Sequence, residues 1–359
     1  MNLKTIICSL ILGSSLTTTA QTALTEYHPG VTAEGAVYFL PKTIIKLHVK
    51  VEKTTYKPGE FCNYAMRYLR LKDVVQEPTT SYRVLSVQQI PVAIADSSKA
   101  YSVKFNAKTV AANFSLSEDG RLLAINAEAA EPAQPELFKP ASKPAATNPR
   151  NFMSEEILAA GSAAKMAELT AKEIYDLRDN RNLLIKGQAD FMPSDGNQMR
   201  LMLDRLETQD RALTQLFTGI TVCDTTETVF TVVPDGPISK LVAFRLSQRL
   251  GLVDSDDLSG TPFYISIEDL NTVPPVDDEA AMKVKKKSPE AGIYVNVPGK
   301  MRSTIFQGDN KFSEKEFPAP QFGNVELLSG ELFNKRYTTH LWLNPLTGAV
   351  DRLTADEPK

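Results

Sequence analysis

Apolar residues recur at a period of two over most of the chain, and at a period between three and four over one central stretch, residues 154–219. In Ile45-Lys46-Leu47-His48-Val49-Lys50-Val51-Glu52 apolar and polar side chains alternate strictly. That alternation predicts a half-buried strand with His48 on the polar face beside Lys46 and Lys50. Similar patterns predict strands over 35–40, 43–53, 82–88, 101–105 and 121–125. A short helix is expected over 61–71, with Phe61, Ala65, Tyr68 and Leu69 inward. Beyond 219, strands are expected near Val222 and over 229–233, 241–246, 262–267, 282–286, 292–297, 301–306 and 337–343. A terminal hairpin should turn at Asn344-Pro345-Leu346-Thr347-Gly348 and return over 349–353.

The central stretch reads as two helices. The first starts at Ser154, a good N-cap, followed by Glu155 and Glu156 where negative charge suits the helix dipole. It runs without proline to Lys186, which at ~1.5 Å per residue makes it roughly 50 Å long. Ala160, Ala164, Ala167 and Ala171 recur at three- and four-residue spacing, with Ile157 and Ile174 at the ends of the stripe. Small side chains let a partner approach closely, so these four alanines are the candidate interface. Gly187 suits the residue after the helix end. Residues 191–196 form a turn, and Asp195 with Gln198 resembles a capping box for the second helix. That helix places Met199, Met202, Leu203, Leu206, Leu213, Leu216 and Phe217 on one side and stops at Gly219.

Between residues 127 and 150 Ala, Pro and Glu dominate, and Pro132, Pro135, Pro140, Pro144 and Pro149 exclude regular helix or a central strand. The expected fold class is therefore α+β, with two β-rich regions, sandwich-like or open-barrel, joined through a long αα-hairpin. The expected segments are a signal peptide (1–20), an N-terminal β-rich domain with one short helix (21–126) and an Ala/Pro-rich linker (127–150). The αα-hairpin (151–219) and a C-terminal β-rich domain (220–359) follow.

The N-terminus has the order of an export signal: Lys4, an apolar run over 6–16, and Thr18-Thr19-Ala20 as the cleavage site, so that the mature chain begins at Gln21. The run is too short to span a bilayer, and no other stretch is long or apolar enough. Cys8 lacks the small residues that precede a lipoprotein cysteine, so a lipid anchor is not expected. The net charge of −3 carries no basic stripe of the kind nucleic acid requires. Cys62 and Cys223 remain after export; they could pair in an oxidising compartment, and the preferred reading is two buried small hydrophobes.

Catalytic motifs are missing: no His-Glu-x-x-His, Cys-x-x-Cys, Walker loop, Gly-x-Ser-x-Gly or Gly-x-Gly-x-x-Gly occurs. His28, His48 and His340 have no partner at ligand spacing and read as surface or packed histidines. Asp254, Asp256 and Asp257 are the metal candidates, but Leu258 stands where a fifth-position calcium ligand belongs, so a solvated turn is expected. Lys283, Lys285, Lys286 and Lys287 are read as protection of an edge strand. No metal or cofactor is expected, and no pair among the carboxylates stands out as catalytic.

Gly35-Ala36-Val37-Tyr38-Phe39-Leu40-Pro41-Lys42-Thr43 and Thr55-Tyr56-Lys57-Pro58-Gly59 resemble the opening of the DUF4831 family of exported Bacteroidetes proteins. Ala163-Ala164-Lys165-Met166-Ala167-Glu168, Leu250-Gly251-Leu252-Val253-Asp254 and Asp257-Leu258-Ser259-Gly260 carry the likeness through the chain. The resemblance implies a Gram-negative envelope origin and supplies no catalytic residue. It also gives meaning to Asp224-Thr225-Thr226, which matches the pattern for O-glycosylation in that group and makes Thr225 the candidate. The N-glycosylation form Asn113-Phe114-Ser115 is discounted in that setting.

The expected function is an exported envelope protein, periplasmic or outer-membrane associated, acting as a non-catalytic binding or scaffold component with an envelope protein or glycan as partner. One alternative is a hydrolase directed at glycan or peptidoglycan. The other is a glycan or small-molecule binding module, expected to show an aromatic platform among Tyr264, Tyr294, Tyr337 and Trp342.

Overall fold

Strict alternation builds a strand much longer than any single pattern in the sequence. A computed structural model describes residues 31–32, 35–104, 113–133, 136, 138–140, 142, 147–274, 292–333 and 338–356. The expected signal peptide, Cys8, His28, Lys283, Lys285–Lys287 and Tyr337 lie outside the described residues. In chain order the elements begin with β1 (Val31–Thr32), β2 (Gly35–Lys57), a 3-10 turn (Cys62–Tyr64) running into α1 (Ala65–Tyr68), and β3 (Thr79–Lys104). Then come β4 (Phe114–Leu116), β5 (Leu122–Ile125), a 3-10 turn (Pro149–Phe152), α2 (Glu155–Leu158), α3 (Ala163–Ile185) and α4 (Gly196–Thr218). The remainder is β6 (Ile220–Val232), β7 (Ile238–Ser247), β8 (Gly251–Val253), β9 (Thr261–Asp269), β10 (Gly292–Gln307), β11 (Asn310–Ser329), a 3-10 turn (Gly330–Phe333), β12 (Thr339–Leu343) and β13 (Val350–Ala355).

These strands form three antiparallel sheets, none closed into a barrel. In the first, β2 pairs with β3 on one side and with β1 and then β6 on the other. The second runs β11-β10-β9-β7-β8, and the third β13-β12-β5-β4. The class is α+β, with α3 and α4 adjacent as a hairpin.

Two β cores share the same long strands. Ile45, Leu47, Val49 and Val51 of β2 face Phe244, Phe263, Ile265, Met301 and Ile305 of the second sheet in the larger core. Ala36, Tyr38 and Leu40, at the start of β2, instead meet Phe114, Leu122, Ile125, Ile293, Val295, Leu341 and Leu343. Even positions of β2 are buried first and odd positions afterwards, so the strand changes its buried face as it passes from one core to the other. At the crossing, Thr43, Ile44 and Ile45 are all buried. Both long hairpins carry an irregularity at this waist, between Phe39 and Pro41 in β2–β3 and between Val297 and Gly299 in β10–β11. Gly323 is required there, because a Cβ would lie 1.9 Å from the Val297 carbonyl oxygen. Asn296 closes the waist by donating its amide to the carbonyls of Pro41 (3.0 Å) and Thr347 (2.8 Å).

Sheets also join the two halves of the sequence. β6 pairs with β2 along thirteen residues, Ile45↔Val232 to Lys57↔Ile220, and β12 pairs with β5 at Leu341↔Ile125. Partners remote in sequence thus lie on both sides of the 127–150 segment. The described residues of that segment form a strap along the protein. Ala129 accepts from the Ser115 hydroxyl, Glu131 pairs with Arg121 at 2.9 Å, the Phe138 N–H donates to Glu227 at 2.7 Å, and Arg150 pairs with Glu60 at 3.2 Å.

A third core is helical. Phe61, Ala65 and Leu69 pack with Met153, Ile157, Ala167, Ala171, Ile174, Leu177, Leu213, Leu216 and Phe217. The single helix expected from Ser154 to Lys186 is broken. α2 ends at Leu158, and Ser162 caps α3 anew by accepting from the Lys165 N–H at 3.2 Å. Gly161 falls in the break, where glycine disfavours helix continuation. The second helix is as expected: Asp195 accepts from the N–H groups of Asn197 (2.7 Å) and Gln198 (2.8 Å), and Gly219 ends it at φ +75°.

Candidate functional site

The two hairpin helices are fastened to each other and to the body at different levels. Near the body, the Phe61 N–H donates to the Leu216 carbonyl at 2.7 Å, and Phe61 and Phe217 rings lie 5.5 Å apart. Further out, the Arg178 guanidinium forks onto Asp210, with contacts of 3.0–3.2 Å, while Thr214 shares the cluster. Beyond Arg178 on α3, and before Leu206 on α4, only Leu184 is buried. There Phe191 is 73% exposed, Ile185 64% and Leu201 59%, and Leu183 and Met192 are exposed as well. Large apolar side chains at that exposure, gathered in one place, are unusual on a protein that works alone. Three of them, Leu183, Phe191 and Leu201, wall a groove of about 550 Å³ floored by Leu184, Met202 and Leu206. Asp190 and Arg205 stand on its lining, and neither side chain has an ion pair or hydrogen bond among the described residues.

The alanine stripe faces elsewhere. Ala167 and Ala171 are buried in the helical core, and Ala160 and Ala164 are half-buried. Small side chains on this stripe let α3 settle against α4 and α1, which leaves the hairpin's open surface at its far end. The sequence placed Phe191 in a turn, and the signal that it matters is a large aromatic where turn residues are usually polar.

Elsewhere the groups named from sequence are already engaged. His48 is buried, not solvent-facing: its Nδ1 lies 3.6 Å from the Glu227 carboxylate, which also accepts the Phe138 N–H. The strap covers that part of the polar face of β2, with Lys50 4.6 Å from the Phe138 ring centroid. His340 uses both ring nitrogens, Nδ1 toward the Asn126 carbonyl at 2.5 Å and Nε2 toward Asp356 at 3.0 Å. The Asp356 contact, then the Asn126 carbonyl, raises the His340 pKa above the ordinary imidazole value. With both nitrogens held, neither is placed to take a proton from a nucleophile.

Asp254, Asp256 and Asp257 sit in an exposed turn. Asp257 accepts from the Ser259 N–H at 2.8 Å, and Arg245 fixes the loop through the carbonyls of Ser255 and Gly260. Among the described residues no group of three or more His, Cys, Asp or Glu is arranged to hold a metal ion. Cys62 is half-buried and Cys223 exposed on β6, which corrects the expectation of buried hydrophobes, and neither is in a disulfide. Thr225 lies within β6 opposite Glu52, half-buried.

Tyr264 carries the Lys240 ammonium 4.1 Å from its ring centroid, and Trp342 carries the Arg352 guanidinium at 3.7 Å. Tyr294 stacks on Tyr101 at 4.4 Å beside the buried Tyr38. Each of these three rings is therefore already covered on at least one side. Asp119 and Glu131 converge at the waist beside a cleft of about 320 Å³, but they clasp the buried Arg121 at 2.7 and 2.9 Å. Burial opposes ionisation of Asp119, yet hydrogen bonds from Ser117, Arg121 and the Ala95 N–H outweigh it and hold the carboxyl below its ordinary range. This is a structural clasp, not a pair poised for proton transfer.

A sequence profile described as a domain of unknown function, DUF4831, matches residues 34–351, from the start of β2 into β13. The chain belongs to the DUF4831 family. No curated protein and no solved structure matches it. Within this DUF4831 fold no helix among the described residues is long and apolar enough to cross a membrane, a statement that leaves strands aside. Among the described residues, the hairpin tip brings together exposed apolar surface, a groove and side chains of both charge signs without partners.

Proposed function

We propose that this DUF4831 chain is an exported, non-catalytic component of the bacterial cell envelope, periplasmic or outer-membrane associated, that binds or supports another envelope component through the far end of its helical hairpin. The observation that carries the reading is the apolar groove between α3 and α4, bordered by Leu183, Phe191 and Leu201 and covered by no part of the described chain. A helical face of this kind takes an apolar ridge from another chain, because seating it removes several aliphatic and aromatic side chains from water at once. The β body serves as a rigid base: two cores threaded by the same long strands hold the hairpin root in place. The N-terminal export pattern and the Asp224-Thr225-Thr226 triplet agree with an envelope setting.

The test is a photo-crosslinking amino acid placed at Leu201 in the intact native bacterium, with a second copy of the experiment at Lys172 on the proximal, exposed side of α3. A discrete crosslinked species from position 201, absent from position 172, is expected. Equal, diffuse labelling from both positions would rule out the hairpin tip as the contact surface.

A further inference from the structure

The charges around the groove narrow the choice of partner. Asp190 lies in the turn after α3 and Arg205 on α4; both line the groove and both are without a partner in the described chain. An anionic lipid surface would be met by basic residues in excess. Around this tip Arg181, Lys186, Arg200 and Arg205 are matched by Asp179, Asp190, Asp195 and Asp204. Of these, Asp190 and Arg205 are the charges on the groove lining itself, opposite in sign, so a two-fold axis set between them makes the patch complementary to itself. That is the requirement for an isologous contact, in which the same patch serves both sides.

The elements are suited to that arrangement. An isolated αα-hairpin leaves one side of each helix uncovered, and two hairpins laid face to face complete a four-helix bundle with a shared core. We propose that the hairpin tip is a homodimerisation surface: Phe191 of one copy seats in the groove of the second, and Arg205 pairs with the partner's Asp190. The inference rests on the docking reading above and names its partner as another copy of this chain. The arrangement explains why Phe191, the most exposed aromatic of the tip, borders a groove floored by Leu184, Met202 and Leu206. It also gives Asp190 and Arg205 the partners that the single chain withholds. The patch is small against the ~800 Å² per partner of a standard interface, so the dimer should be concentration-dependent, with Kd on the order of 10 µM.

Sedimentation velocity of the purified chain from 1 to 200 µM (on the order of the Kd and about tenfold to either side) reads the association directly. The expected result is a monomer–dimer equilibrium that Phe191→Asp abolishes and Arg205→Asp weakens about tenfold or more. The double variant Asp190→Arg/Arg205→Asp should restore association to within about threefold of the original, since the charges are only exchanged. Circular dichroism confirms that each variant keeps its helix content. A monomer throughout the range overturns the proposal, as does a dimer indifferent to Phe191→Asp. A charge-swap variant no tighter than the single reversal overturns the pairing of Arg205 with the partner's Asp190. In-cell crosslinking from position 201 separates this inference from the reading beneath it. A crosslink to a different envelope protein by a chain that stays monomeric refutes self-pairing and leaves the docking surface standing, whereas no crosslink and no dimer removes both.

Discussion

Replacing Phe217 with alanine should loosen the hairpin and leave the two β cores as they are. Phe217 has no exposed surface, and it packs with Phe61, Leu213 and Leu216 in a cluster that contains no residue of the sheets. Truncating a buried phenylalanine costs about 3–5 kcal/mol, from lost transfer free energy and from the cavity left behind. If the helical core opens as a unit, a loss of about 3 kcal/mol raises its opening constant by about two orders of magnitude at ~1.4 kcal/mol per decade. The β cores lose none of their own contacts. Hydrogen exchange followed by mass spectrometry reads both quantities in one experiment. Peptides from α3 and α4 should exchange about 100-fold faster or more, while peptides from 43–51 and 301–306 keep their protection. A uniform loss of protection across β2, β10 and the helices would refute the reasoning, because it would mean that the helical core is not an independent cooperative unit.

Other perturbations follow from the waist and from His340. Asn296→Leu leaves the Pro41 and Thr347 carbonyls without their buried donor and should destabilise the chain by about 2–4 kcal/mol, read as a lower urea midpoint. Gly323→Ala forces a Cβ onto the Val297 carbonyl and should cost about 3 kcal/mol or more, whereas Gly161→Ala, with open space around it, should leave the thermal midpoint unchanged or raise it. The His340 pKa is raised in the folded chain, so its pairing with Asp356 contributes fully below the ordinary imidazole value of 6.5 and is lost as pH rises through the folded value. His340→Gln should therefore flatten the stability profile on the alkaline side of pH 6.5 while changing little well above it; an unchanged profile would remove His340 from the account.

Much of the fold can be read from local pattern. The alternation from Ile45 to Val51 and the Asp195 cap of α4 each appear as their residues require. What could not be read depends on distant partners. β2 runs through Pro41 at the Phe39/Pro41 irregularity, and β3 runs through Pro91, in regular register with Ile45, as an edge strand of its sheet, where proline is tolerated. β11 is hidden by its composition: Pro318 and Pro320, with Lys315 and Glu316 turned to water, suit an edge strand and mask its period. The helix break at Gly161 turned on one glycine and a better cap eight residues beyond Ser154. The alanine stripe marked a real contact, between α3 and its own neighbours. His48 looked exposed because its cover, Phe138, comes from a segment ninety residues on in sequence.

Oxidative footprinting measures the exposure of the hairpin tip where the protein works. Hydroxyl radicals generated in intact cells, and separately in a dilute solution of the purified chain, would be read at Met192 and Met202 of the tip. Met66 on α1, 49% exposed and far from the groove lining in sequence and element, serves as the internal reference. The account predicts that Met192 and Met202 are oxidised several-fold less in cells than in dilute solution, with Met66 oxidised equally in both. Equal oxidation of all three methionines in both settings would contradict a docked hairpin.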